Sequence, residues 1–190
     1  MSTNVRTPTE KLLLIALAPF LVAWAALWLF LWALTLPFQY LYEWWLAYRF
    51  RQIHGRFGRF VLFVYSDSPN WKDYIETKVL PQLEPHVVTL NWSERAQWRQ
   101  THPFEARVFR HWAGEKEFNP MALIFSSIWT VTDVRLWRAF RDLKHGRDQS
   151  LRFAENLLLS EVHRIASKSR LNRWADAQQI VGRARRERVC

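Results

Sequence analysis

The run from Leu12 to Phe38, LLLIALAPFLVAWAALWLFLWALTLPF, contains no charged residue. As a helix rising about 1.5 Å per residue it exceeds the roughly 30 Å hydrocarbon core of a bilayer, so it can cross with some tilt. A helix also satisfies its own backbone polar groups in lipid, which an irregular segment could not. The alternative is a secretory signal, whose apolar region is about 7–15 residues and ends at a small-residue cleavage site. Here the run leads into Gln-Tyr-Leu-Tyr-Glu-Trp-Trp, bulky residues where cleavage would fall. The expectation is a short tail at 1–11 and an uncleaved single-span anchor at 12–38.

Trp24, Trp28 and Trp32 recur every four residues and so share one helix face. They suit contact with another helix, a pigment or ordered lipid; facing plain lipid is the other reading. Ala16, Ala23, Ala26 and Ala33 lie on another side, where a neighbouring helix could approach closely. No histidine falls within the run, which argues against an axially ligated haem or chlorophyll held by this helix alone. Pro37 is expected to end or kink the span. Beyond it, FQYLYEWWLAYRFRQ places Phe38, Leu41, Tyr42, Trp45 and Leu46 at helical spacing, leading through residues 39–55. With Trp44, Arg49 and Arg51 they read as an interfacial helix where lipid meets water; continuation of a tilted span is the alternative.

The net charge of +10 is concentrated in two places. Arg49, Arg51, Arg56 and Arg59 follow the anchor. From Arg164 to Arg188 there are eight basic and two acidic residues, and the rest of the chain balances. Within residues 168–190, Arg170, Arg173, Trp174, Arg183, Arg185 and Arg186 form a basic amphipathic tail suited to anionic lipid headgroups; a disordered tail is the alternative. Nucleic acid is not an expected partner, because no binding motif accompanies the charge. Only Arg6 and Lys11 precede the anchor, so the positive-inside rule puts the domain in the cytoplasm, at a cell membrane of bacterial inner-membrane type. The sole cysteine is Cys190, which excludes an internal disulfide and a cysteine metal site.

Gly55 and Gly58 mark a short hinge, and residues 56–167 form one domain. Phe60 to Tyr65 is a short apolar run that reads as a buried strand. Ser68-Pro69 supplies N-cap and N1 chemistry for a helix from Trp71 to Leu80, closed by Pro81 and Pro85. His86 to Trp92 is a second strand, and Ser93 can cap a helix starting at Glu94. Pro103 opens a helix ending at Gly114, with Phe104, Val108, Phe109 and Trp112 inward. Met121 to Phe125 is a third strand. Val134 to Phe140 alternates apolar and basic residues, the period of a fourth strand. A turn at 142–146 precedes a long helix from Asp148 to Ser167. The order β-α-β-α-β-β-α predicts an α/β domain, a mixed sheet with helices on both faces.

Over Arg59 to Ile165 the chain resembles a thioredoxin-like domain. VLFVYSDSPNWKDYI stands where that family carries its redox turn, and FNPMALIF where a proline, usually cis, leads the third strand. Ser68 and Trp71 occupy the cysteine positions, with Pro69 between them and Pro120 as the strand-leading proline. The resemblance implies a degenerate site without dithiol exchange, which needs an attacking thiolate.

No other chemistry is well marked. Ser66 to Asn70 lacks the glycines of a phosphate loop, so a capping turn is the simpler reading. Ser68 has no G-x-S-x-G context, and His86, His102 and His111 could reach it only through folding. The histidines show no metal-ligand spacing, and no cofactor is expected. Arg135, Arg138 and Arg141, with Asn91 to Arg95, could meet a partner or form an ordinary solvated face. The expected function is a non-enzymatic accessory or scaffold subunit of a larger membrane complex, respiratory or photosynthetic in type, with lipids and other subunits as partners. The alternatives are a membrane-tethered enzyme or small-molecule binder using Ser66 to Asn70, or a transient assembly factor.

Overall fold

Side chains alternate across a strand, and in β1 (Val61–Tyr65) both sets are apolar. Val61 and Phe63 enter one core cluster, Leu62 and Val64 the other. Such a strand has to be covered on both faces. The computed structural model describes the backbone of residues 8–114 and 116–187 and the side chains of residues 17–114 and 116–169. In it β1 lies inside a four-stranded mixed sheet of order β2-β1-β3-β4, with β2 at Val87–Asn91, β3 at Met121–Phe125 and β4 at Val131–Arg135. β2 runs parallel to β1, with Val61 level with Val87. β3 is antiparallel to β1, and β4 to β3.

The chain divides into two units, Met1–Trp45 and Leu46–Cys190. The first is most of α1 (Pro8–His54), which holds the one helix long and apolar enough to cross a membrane among the described residues. Trp24, Trp28 and Trp32 are 66, 58 and 52% exposed on it. Ala23, Ala26 and Ala33 are exposed too, and the Ala16 side chain lies outside the described residues. Pro37 does not end the helix, which runs on to His54. One turn earlier, Thr35 Oγ1 donates to the Trp32 carbonyl at 2.7 Å.

In the second unit, the last turns of α1 cover one sheet face together with α3 (Trp98–Thr101) and α4 (Phe104–Ala113). Leu46, Ala47 and Phe50 are buried there, so part of the stretch read as interfacial is protein core. Helical spacing of apolar residues shows that one face is covered, not whether lipid or protein covers it. Phe50 stacks on Phe125 at 4.1 Å, and Arg51 Nη1 donates to the Phe125 carbonyl at 2.7 Å. His54 Nε2 and Glu105 Oε1, 2.7 Å apart, join α1 to α4. The expected hinge is a 3-10 turn, Gly55–Phe57, closed by Gly58 at φ 74°, a conformation that favours glycine.

The other face is covered by α2 (residues 72–83), α5 (Trp137–Lys144) and α6 (Gln149–Glu187). α2 spans residues 72–83 as Lys72–Tyr74, a π turn Ile75–Val79, and Leu80–Leu83. It continues past Pro81 because that proline falls in the first turn of the last piece. The fourth strand begins at Val131 and ends at Arg135, five residues before the Phe140 that the alternation predicts, and Trp137 onward is helix. Leu136, Ala139 and Phe140 are the buried set, a spacing of three and four that fits a helix better than a strand. Asn91 rather than Ser93 caps the 3-10 turn Trp92–Glu94, accepting from Ser93 N at 3.0 Å. α6 buries Leu151, Leu158, Val162 and Ala166. The side chains of Arg170, Arg173, Trp174, Arg183, Arg185 and Arg186 lie outside the described residues.

Candidate functional site

The end of β1 delivers the chain into Ser66-Asp67-Ser68-Pro69-Asn70. Ser66 is buried, and Asp67 is the hub that ties this turn to the end of β2. Its backbone N–H donates to Ser93 Oγ at 2.8 Å, Asn91 Nδ2 donates to Oδ2 at 3.1 Å, and Lys72 Nζ lies 2.7 Å from Oδ1. The Lys72 bond, then that from Asn91, holds the Asp67 carboxyl below the usual carboxylate range. Lys72 is raised in turn by Asp67. Ser68 closes the turn: its carbonyl accepts from Trp71 N and Lys72 N, and its hydroxyl from Asn70 N at 3.4 Å. The helix begins at Lys72 with Trp71 at the cap position and no side-chain capping bond, so the expected Ser68 N-cap gives way to a hydrogen-bonded turn.

His86 stands far from this turn. It precedes β2, its carbonyl accepting from Phe60 and Val61, whereas Ser68 follows the other end of β1. Five residues of strand, about 16 Å, lie between the two levels. His102 is exposed beyond α3, and His111 packs edge-on against Trp112. Among the described residues no cluster of three histidine, cysteine or acidic side chains converges as a metal ligand set.

Beside the turn opens a cleft of about 500 Å³. Asn70, Trp71, Phe118, Asn119, Trp137 and Phe140 line it, with Arg141 and Lys144 exposed at the rim. The peptide between Asn119 and Pro120 is cis, directly ahead of β3. The walls are aromatic pairs: Phe118 stacks on Trp137 at 4.4 Å, and Trp71 meets Phe140 at 6.0 Å. Arg138 and Arg141 sit over the Trp137 ring at 5.4 and 5.3 Å. Two buried polar atoms here, Trp71 Nε1 and Asn119 Oδ1, have no hydrogen-bond partner. Such atoms are uncommon in native interiors and call for an explanation. Tyr65, at the end of β1, is pushed up to about 12 by burial and then by its 3.0 Å bond to Glu76.

The sequence singled out Trp71 and Pro120, and the fold places Trp71 and the residue before Pro120 on one cleft. Phe118, just ahead of β3, and Trp137 and Phe140, on the α5 helix that the alternation read as the end of a fourth strand, complete it. The remaining basic residues disperse: Arg135 bonds Asp133 at 2.8 Å and the Trp112 carbonyl, and Arg95 covers the Trp92 ring at 3.7 Å. Trp92 Nε1 donates to Glu117 at 3.0 Å. Tyr42 stacks with Trp45 at 6.0 Å, Trp44 is half-buried, and Arg49 is exposed beside Gln52. No known protein family, curated protein or solved structure matches the chain.

Proposed function

We propose that the protein is a single-span, membrane-anchored accessory subunit whose α/β domain is thioredoxin-like in fold and devoid of thiol chemistry. The strand order, the parallel β1–β2 pair and the antiparallel β3 and β4 support the fold. Ser68 and Trp71 at the turn leave no thiolate to attack a disulfide. The observation that carries the functional reading is α1 itself. It bears a charge-free run on which Trp24, Trp28 and Trp32 are all exposed, a surface on which other membrane helices can pack, which suits a scaffold. The excess of arginines after the run favours a cytoplasmic domain.

The test is extraction of the tagged full chain in a mild detergent, followed by native sizing. The wild type should migrate with a larger assembly. Trp24→Leu, Trp28→Leu and Trp32→Leu together should release it while leaving it in the membrane. Unchanged co-migration of the triple variant refutes the role of that face.

The aromatic cleft supports a second reading, a tethered binder of small planar anions. Its walls offer stacking, its rim positive charge, and Trp71 Nε1 and Asn119 Oδ1 an unused donor and acceptor. Naphthoate should raise the melting temperature of the full chain if this reading holds, since a ligand bound only by the folded state stabilises it.

A further inference from the structure

The opposite end of the sheet carries a second cleft, of about 460 Å³, and its chemistry is different. Arg51, Arg56, His86 and His163 line it, with Glu84 as the acidic member. We infer that this cleft binds a phosphate group presented by the headgroup of an anionic phospholipid. The inference rests on the membrane-anchored reading above.

Its cationic groups are held in place by the fold. Arg51 is half-buried, and one of its five N–H donors is fixed on the Phe125 carbonyl at 2.7 Å. That bond orients the guanidinium plane and leaves the rest of the fork for an incoming oxyanion, the geometry arginine offers phosphate. His86 is fixed on two sides: Nδ1 lies 2.8 Å from the Gly58 carbonyl and the ring stacks on Phe60 at 4.8 Å. Arg56 and His163 are exposed at the mouth. The two guanidiniums outnumber the single Glu84 carboxylate, so the cleft is net positive before either histidine is counted. Its volume is within the range of about 300–1,000 Å³ common to small-ligand sites.

The residues around the cleft point to the source of the phosphate. Phe60 N and Val61 N donate to the His86 carbonyl, and Phe125 N donates to the Phe60 carbonyl. The cleft therefore lies at the sheet end where α1 hands over to β1. Phe57 and Trp129 are exposed at the same end, by 62 and 76%, beside Arg56 and beyond Phe125 respectively. Aromatic residues next to arginines are the composition of a membrane interface.

The test uses the full chain in phosphatidylcholine nanodiscs with increasing phosphatidylglycerol, read by thermal melting. The wild type should melt higher as phosphatidylglycerol rises. Arg56→Gln with His163→Gln, both exposed and so compatible with folding, should raise the phosphatidylglycerol fraction needed for half the shift about fivefold or more, the effect of roughly one surface charge. Arg51→Lys, which keeps a donor for Phe125, should weaken it in the same direction. A tail variant with Arg170, Arg173, Arg183, Arg185 and Arg186 changed to Gln should keep the shift. A full shift in the Arg56/His163 variant, or a shift lost only with the tail, overturns the site. An equal shift from inorganic phosphate in pure phosphatidylcholine overturns the lipid assignment in favour of a soluble phosphate ester. Release of the wild type from native membranes by alkaline carbonate would instead refute the anchored reading, and it does not depend on this cleft.

Discussion

Replacing Phe50 by alanine tests whether the end of α1 is core or a lipid-facing surface. Phe50 is fully buried, stacked on Phe125 at 4.1 Å with ring planes 18° apart, and close to the His54 ring at 4.7 Å. Truncating a buried phenylalanine costs about 3–5 kcal/mol, from lost transfer energy and the cavity left behind. The stacked pair places Phe50 toward the upper part of that range, since such pairs add about 0.5–1.5 kcal/mol beyond area burial. Against a typical domain stability of about 5–15 kcal/mol this is a large fraction. The assay is urea unfolding of the full chain in micelles, read by pulse proteolysis of residues 60–166, with Phe57→Ala as the control. Phe57 is exposed, and its truncation should change stability by less than about 0.5 kcal/mol. Were Phe50→Ala to cost under about 1 kcal/mol, comparable to the control, the end of α1 would not be part of the core.

Asp67→Asn should lower stability at neutral pH and leave the acid limit unchanged. A carboxyl held below its unfolded value stabilises the fold above that value, about 3.9, and loses the contribution as pH falls through the lower folded value. The wild-type and variant curves should therefore converge as pH falls below the unfolded value and through the lower folded one; curves that stay parallel through that fall would refute the role of the Lys72 and Asn91 bonds. Tyr65 should titrate at about 12 by tyrosinate absorbance, and Glu76→Gln should bring it down while burial keeps it above the ordinary value. Any stability it gives is complete below about pH 10 and is lost as pH rises through the folded value; titration of Tyr65 along with unfolded tyrosine would contradict the geometry. In a Cys190→Ser background, Ser68→Cys with Trp71→Cys should form an intra-turn disulfide, because the hydrogen-bonded turn brings those backbones within about 7 Å. Failure of the pair to oxidise would argue against the thioredoxin-like reading of the turn.

What could be read ahead of the structure follows physical lines. β1 and β3 announce themselves as short, unbroken apolar runs, because both strands are covered on both faces. α4 shows its inner face in Val108 and Phe109, both buried, with Phe104 and Trp112 half-buried beside them. The error at Val134 to Phe140 has a definite source. Val134, Leu136, Ala139 and Phe140 satisfy a period of two at first and a spacing of three and four later, and the change falls at Leu136. Leu46 was legible as apolar at helical spacing, but whether lipid or the sheet covers it depends on β3, which lies far along the chain. The same limit applies to both clefts. Trp71 and Asn119 are drawn together by the pairing of β1 with β3, and His86 and His163 join Arg51 through β2 and α6. No local pattern encodes those encounters.

The burial of Phe50 against Phe125 also bears on how the protein is made. Seventy-five residues separate the two, and translation at about 5–20 residues per second takes roughly 4–15 s to cover them. On the anchored reading, α1 leaves the ribosome and enters the bilayer first, carrying Leu46, Ala47 and Phe50 with nothing yet synthesised to cover them. Membrane insertion and closure of the core are then successive stages of one biogenesis, and the side chains that end the anchor are the last part of it to be sheltered by protein.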